Sequence, residues 1–150
     1  MRTVENILDT KEETSNTIGP DAMVIDALKK LISVNLSYLV VMENGQFLGI
    51  FSERDYTRKL VLEGRSSRDT MVRDVMTTNL PVVNLSKTVE DCMYLMNARG
   101  ARYLAAFDED HFEGIITIHD LLRQALGSKH EVFDDTVNEL INHDESGRVF

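Results

Sequence analysis

The 150-residue chain sets 16 Lys and Arg against 25 Asp and Glu, for a formal net charge of −9. Nucleic-acid backbones are gripped by clustered Lys and Arg, and no basic run occurs here. One cysteine excludes an internal disulfide and fits a reducing compartment. No apolar run approaches the ~20 residues of a membrane span or the core of a signal peptide, so the expectation is a cytoplasmic protein with no nucleic-acid or membrane partner.

The chain opens on Val4-x-x-Ile7-Leu8, followed by an extended stretch, Asn16-Thr17-Ile18. Pro20-Asp21 signals a helix start, and Val24, Ala27, Leu28 and Leu31 recur at helical spacing behind it. An apolar strand, Leu39 to Met42, meets the hairpin signal Glu43-Asn44-Gly45-Gln46 and returns as Phe47 to Phe51. A helix from Ser52 to about Leu62 closes the set, and polar, turn-rich Gly64 to Asp69 reads as a linker. Val72-x-x-Val75-Met76 then repeats the opening pattern. Pro81-Val82-Val83 is extended, Ser86 signals a helix carrying Val89, Cys92, Met93 and Met96, and strands follow at Leu104 to Phe107 and Phe112 to Ile116. A helix from Thr117 to about Leu126 ends the second set, and a last amphipathic helix carries Val132, Phe133, Val137, Leu140 and Ile141. Cys92, in an apolar helical run, reads as a small buried hydrophobe.

The two sets are one pattern written twice. Val24 to Val89 defines a shift of 65 that also carries Asp26 to Asp91, Tyr38-Leu39 to Tyr103-Leu104, Gly49-Ile50 to Gly114-Ile115 and Asp55 to Asp120. The opening pattern precedes a loop, Lys11 to Ser15, that is three residues longer in the first copy. The fold expected is mixed α/β (α+β), a β-α-β-β-α unit repeated. Residues 1–63 form the first repeat, 64–71 the linker, 72–127 the second repeat and 128–150 the C-terminal helix and tail.

The informative motif is Gly49-Ile-Phe-Ser52-Glu-Arg-Asp55, echoed by Gly114-Ile-Ile-Thr117-Ile-His-Asp120. Each sets a hydroxyl and a carboxylate three apart where a strand hands over to a helix. A helix N-terminus attracts phosphate, and a carboxylate can accept from both hydroxyls of a ribose diol. The same residues also make a capping-box helix start. The residues alone leave both readings open.

This motif, standing twice at the close of a β-α-β-β-α repeat, resembles the nucleotide signature of the cystathionine β-synthase (CBS) domain. Val72-Arg-Asp-Val-Met76-Thr77 is similar to the opening of a second CBS repeat, and Gly49 to Lys59 with Gly64-Arg65-Ser66-Ser67 resembles stand-alone bacterial CBS-pair proteins. The resemblance implies two repeats about a pseudo-twofold axis with a cleft on either side, and a regulatory adenine-nucleotide ligand (AMP, ADP, ATP, NAD(H) or S-adenosylmethionine) with no catalytic cofactor. It implies a first site drawn from Ile18, Ser37, Tyr38, Ser52, Arg54 and Asp55, with Arg102 reaching the phosphates. The second would draw on Val83, Ala101, Tyr103, Thr117, His119 and Asp120, with Ser37 and Tyr38 as the counterparts of Arg102. Adenine would lie near Ile18 or Val83. Arg102 makes the first site the tighter of the two by Coulomb logic. His119 stands where the family often has glycine, and Tyr103 where it often has histidine, so the second site departs further from the pattern. A homodimer formed through the helices and an unidentified protein partner are also implied.

Other constellations carry less. His111, His119, His130 and His143 have no metal-ligand spacing. No nucleophile stands beside a base, so no enzyme is expected. The alternative is a ligand-free dimerisation or interaction module whose motifs serve only as helix caps.

Overall fold

The computed structural model of the chain describes residues 2–12 and 15–127. The expected C-terminal helix lies outside them. In chain order the elements are α1 (Val4–Thr10), β1 (Thr17–Ile18), α2 (Val24–Val34), β2 (Tyr38–Glu43), β3 (Gln46–Ser52) and α3 (Glu53–Asp55), followed by a π-helical stretch, Tyr56–Val61, and a 3-10 turn, Val72–Asp74. Then come β4 (Val82–Asn84), α4 (Val89–Arg99), β5 (Tyr103–Asp108), β6 (His111–Thr117) and α5 (Ile118–Gly127).

Each repeat builds a three-stranded sheet, in order β1-β2-β3 and β4-β5-β6. In each, the first strand is parallel to the second and the hairpin is antiparallel. The hairpins share a bulge at the same place, between Val41 and Met42 and between Ala106 and Phe107. At the first turn Asn44 (φ 53°) and Gly45 (φ 76°) adopt the left-handed backbone that a two-residue hairpin needs. In the second copy Glu109 holds φ 54° without that chemistry. The helix ends also repeat: Asn35 and Gly100 each close a helix in the left-handed conformation, and each amide returns to two carbonyls.

The compact units are not the sequence repeats. One joins residues 1–12 to the chain from Leu80 onward, and the other spans Glu13–Asn79. The opening segments are therefore exchanged. Val4 and Ile7 of α1 are buried in one core with Val83, Val89, Cys92, Met96, Leu104, Ile116 and Leu121. Val72 and Val75 are buried in the other with Val24, Ala27, Leu31, Leu39, Val41, Phe51 and Leu60. Full burial of such side chains contributes about 1.5–3 kcal/mol apiece, which small cores need.

The exchange also caps the helices. α2 begins at Val24 behind Met23, which offers no side-chain cap, so Pro20-Asp21 is not its cap. The amides of Val24 and Ile25 donate instead to the carbonyls of Thr70 and Ser67 in the expected linker. That segment is thus bonded into its unit, and Thr70 is buried. At α4 the cap is Thr88, whose hydroxyl accepts from the Asp91 amide, while Val89 N–H donates to Arg2 O. Ser86, the expected start, instead bonds Asn84 Oδ1. The closing helix expected from Ser52 to Leu62 is one α-turn that widens into π-helix, whereas α5 is regular.

Cys92 has no exposed surface. Burial, with help from Asp91, pushes its thiol up to about 11. Thiolate is the reactive form, so a disulfide reagent should modify Cys92 only as fast as the protein unfolds and at once in denaturant. Rapid reaction of native protein would contradict this core. Because the folded value lies above the unfolded one, this group's contribution is whole below about 9 and is lost as pH rises towards about 11.

Candidate functional site

Both motifs sit where the last strand of a sheet turns into a helix. Tyr38 pairs with Ser52, and Tyr103 with Thr117. The first helical amide at each is already satisfied: Glu53 N–H donates to Ser37 O and Ile118 N–H to Arg102 O, both at 3.1 Å. The third is taken by the motif hydroxyl, with Asp55 N–H to Ser52 Oγ at 3.2 Å and Asp120 N–H to Thr117 Oγ1 at 3.1 Å. Two of the three first-turn amides that could hold a phosphate are therefore engaged at each site.

The carboxylates complete the capping arrangement. Asp55 Oδ2 accepts from Ser52 N–H at 3.0 Å and from Ser52 Oγ at 3.1 Å. Asp120 Oδ2 accepts from Thr117 N–H at 2.8 Å. Beyond the cap the motifs diverge. Asp55 Oδ1 accepts from Thr77 Oγ1 at 2.7 Å and pairs with Lys59 Nζ at 2.9 Å. Lys59 also donates to Thr77 Oγ1 and to Met76 O. Both oxygens of Asp55 are thus engaged, and its side chain is 4% exposed. Asp120 has one further partner, Lys11 Nζ, at 2.9 Å on the same Oδ2. Lys11 also donates to Ile115 O at 2.8 Å. Among the described residues no donor reaches Asp120 Oδ1.

The glycine that opens each motif faces an exchanged segment, against backbone at Gly49 and against a side-chain tip at Gly114. A Cβ on Gly49 would lie 2.3 Å from Thr77 O. Thr77 lies along β3, with its backbone bonded both ways to Ile50. At Gly114 a Cβ would meet Leu8 Cδ2, from α1, at 2.9 Å.

The expected site residues fall into the two units as follows. Ser37, Tyr38, Ser52, Arg54 and Asp55 gather at one end of the first sheet, with Tyr38 buried and Arg54 exposed. Ile18 lies on β1 opposite Val41. Ala101, Arg102, Tyr103, Thr117, His119 and Asp120 gather at the matching end of the second sheet, and Val83 lies on β4 opposite Ala106. Arg102 is exposed and belongs to the unit that holds Asp120. Sequence reasoning did not find Lys59, Thr77 or Lys11. Lys59 was signalled by its place four residues after Asp55 on a helix. Thr77 and Lys11 were signalled by nothing local, since each comes from the exchanged opening segment.

The paired sheets, the duplicated strand-to-helix motif and the repeated bulges and caps define a tandem module of two α/β repeats. The chain belongs to the CBS domain family, whose sequence model matches residues 6–62 and again 72–127. The CBS domain-containing protein CBSX3 of Arabidopsis thaliana, a mitochondrial protein, is 34% identical over 116 residues, which are 74% of this chain. The chain spans 56% of that relative's length. A solved structure of a CBS-domain protein from Burkholderia ambifaria MC40-6 superposes with a TM-score of 0.79 at 34% identity, over 85% of this chain and 96% of that one. CBSX2, solved in complex with AMP, superposes with a TM-score of 0.69 at 26% identity, over 87% of this chain and 100% of that one.

Proposed function

We propose that the chain is a non-catalytic regulatory module that binds an adenine nucleotide and passes its occupancy to a partner protein or to its own homodimer. The observation that carries this reading is Asp120, whose Oδ1 takes no donor among the described residues while its Oδ2 is fixed by Thr117 and Lys11. A carboxylate held in this way can accept from a ribose diol without dismantling its helix cap. The AMP complex of CBSX2, a protein of the same fold, supports adenosine chemistry as the ligand class.

The two motifs differ in readiness. A diol at Asp55 would have to displace Thr77 and Lys59, whereas at Asp120 it meets an open oxygen. This geometry opposes the expectation, drawn from Arg102, that the first site is the tighter. The reading places adenine near Val83, with Tyr103, Ala101 and His119 around the Asp120 site. Ile18, Ser37, Tyr38, Ser52 and Arg54 are left to a weaker first site. A second reading has a specific observation behind it. The saturated Asp55 is what a purely structural cap looks like, and on that reading the module only assembles.

A thermal-shift panel of AMP, ADP, ATP, NAD and S-adenosylmethionine separates the two. At 100 times its dissociation constant a ligand adds about 2.7 kcal/mol, or roughly 5–10 °C of midpoint for a chain this long. A midpoint unmoved by all five would leave only the assembly reading.

A further inference from the structure

We infer that Lys11 is the residue that lets the Asp120 site prefer a phosphorylated nucleoside over the bare nucleoside; this rests on the proposed nucleotide reading. A carboxylate suited to a ribose diol is a poor neighbour for the same ligand's 5′-phosphate. In a mononucleotide held by its diol the carboxylate and the phosphate sit at opposite ends of one small ligand, a separation comparable with the Debye length of about 8 Å at physiological salt, and like charges at that range repel appreciably in a partly buried site. Asp120 is such a site, since its side chain is only 11% exposed.

At the first motif the compensating cation stands on the motif's own helix, Lys59, four residues beyond Asp55. The shift of 65 carries that position to Gln124, which has no charge. Among the described residues Lys11 is the one ion-pair partner of Asp120. It is held from two sides, by Asp120 Oδ2 at 2.9 Å and by Ile115 O at 2.8 Å. It comes from the segment after α1, where the first copy's loop is longer than the second's. Lys11 binds the oxygen that Thr117 also holds, so it neutralises the carboxylate without occupying Oδ1. The diol-binding oxygen and the charge compensation are thereby separated onto different atoms.

The test is calorimetric titration of the full chain with AMP and with adenosine, for the wild type, Lys11→Gln and Lys11→Arg. Glutamine keeps a donor for Ile115 O and Asp120 while removing the charge, and Lys11→Met serves if Lys11→Gln does not fold. The wild type should prefer AMP. Lys11→Gln should lose at least about tenfold of that preference, with adenosine bound as well as before or better, and Lys11→Arg should retain it. An AMP-to-adenosine ratio unchanged in Lys11→Gln, with AMP still bound, overturns the role of Lys11 alone. A wild type that binds neither compound overturns the role of Lys11, and only one that also fails to respond to ADP, ATP, NAD and S-adenosylmethionine overturns the nucleotide reading itself.

Discussion

Replacing Asp55 by alanine is expected to lower the unfolding free energy by about 2–4 kcal/mol, while Asp120→Ala should cost about 1–2 kcal/mol. The difference follows from what each carboxylate holds. Asp55 is engaged by the Ser52 amide, the Ser52 and Thr77 hydroxyls and the Lys59 ammonium, with its side chain 4% exposed. Its removal leaves buried donors without acceptors, each at a cost of about 1–3 kcal/mol. Lys59 is 43% exposed and can turn to water, so the ion pair itself adds little. Asp120 is engaged by one amide and by Lys11, which is 28% exposed. Asparagine should not rescue Asp55, because an amide nitrogen on either side would face a donor. Urea denaturation of the two variants at pH 7 reads the difference directly. Equal losses would mean that the Thr77 and Lys59 contacts contribute nothing and that the first motif is as open to a ligand as the second.

The alternation of apolar runs and helical spacing carried both sheets and the helices α2, α4 and α5; the hairpin strands extend those expected by a residue at each end, β1 is one residue shorter, β4 is shifted by one, and α1 was not expected as a helix. The duplication was legible because it holds one register through strand, turn and helix, and the structure repeats it down to the bulge and the left-handed helix ends. What could not be read was the exchange of opening segments. Val4-x-x-Ile7 and Val72-x-x-Val75 are near-identical patterns, and an apolar pair does not encode which of two similar cores it enters. The hidden parts of the site follow from that one ambiguity. Thr77 and Lys11 complete the carboxylates from segments distant in sequence, and the carbonyls of Ser67 and Thr70 take the first amides of α2, which has no side-chain cap. Backbone acceptors leave no compositional trace, so Pro20-Asp21 stood in for a cap that Thr70 and Ser67 supply, whereas at α4 the side-chain cap is Thr88, two residues after Ser86. Lys59 was the exception, since its spacing from Asp55 is a local rule of helices.

Gly49→Ala should be still more damaging, at about 3 kcal/mol or more, whereas Gly19→Ala should change stability by less than about 0.5 kcal/mol. An added Cβ at Gly49 would lie 2.3 Å from Thr77 O, 3.1 Å from its carbonyl carbon and 3.3 Å from Thr78 Cα, all backbone atoms. At Gly19 it would meet nothing within 4 Å. Thr77 cannot step back cheaply. Its carbonyl accepts from Ile50 N–H at 3.0 Å, its amide donates to Ile50 O at 2.8 Å, and its hydroxyl donates to Asp55. Moving it off β3 would break the sheet-edge bonds and the carboxylate's seal together. The two lesions therefore share a mechanism, and the double variant Gly49→Ala/Asp55→Ala should lose clearly less than the sum of the single losses, because Thr77 can be released only once. Strict additivity in denaturant unfolding would show that glycine and acid act separately. In that case the exchanged segment would rest on β3 without serving the motif at its end.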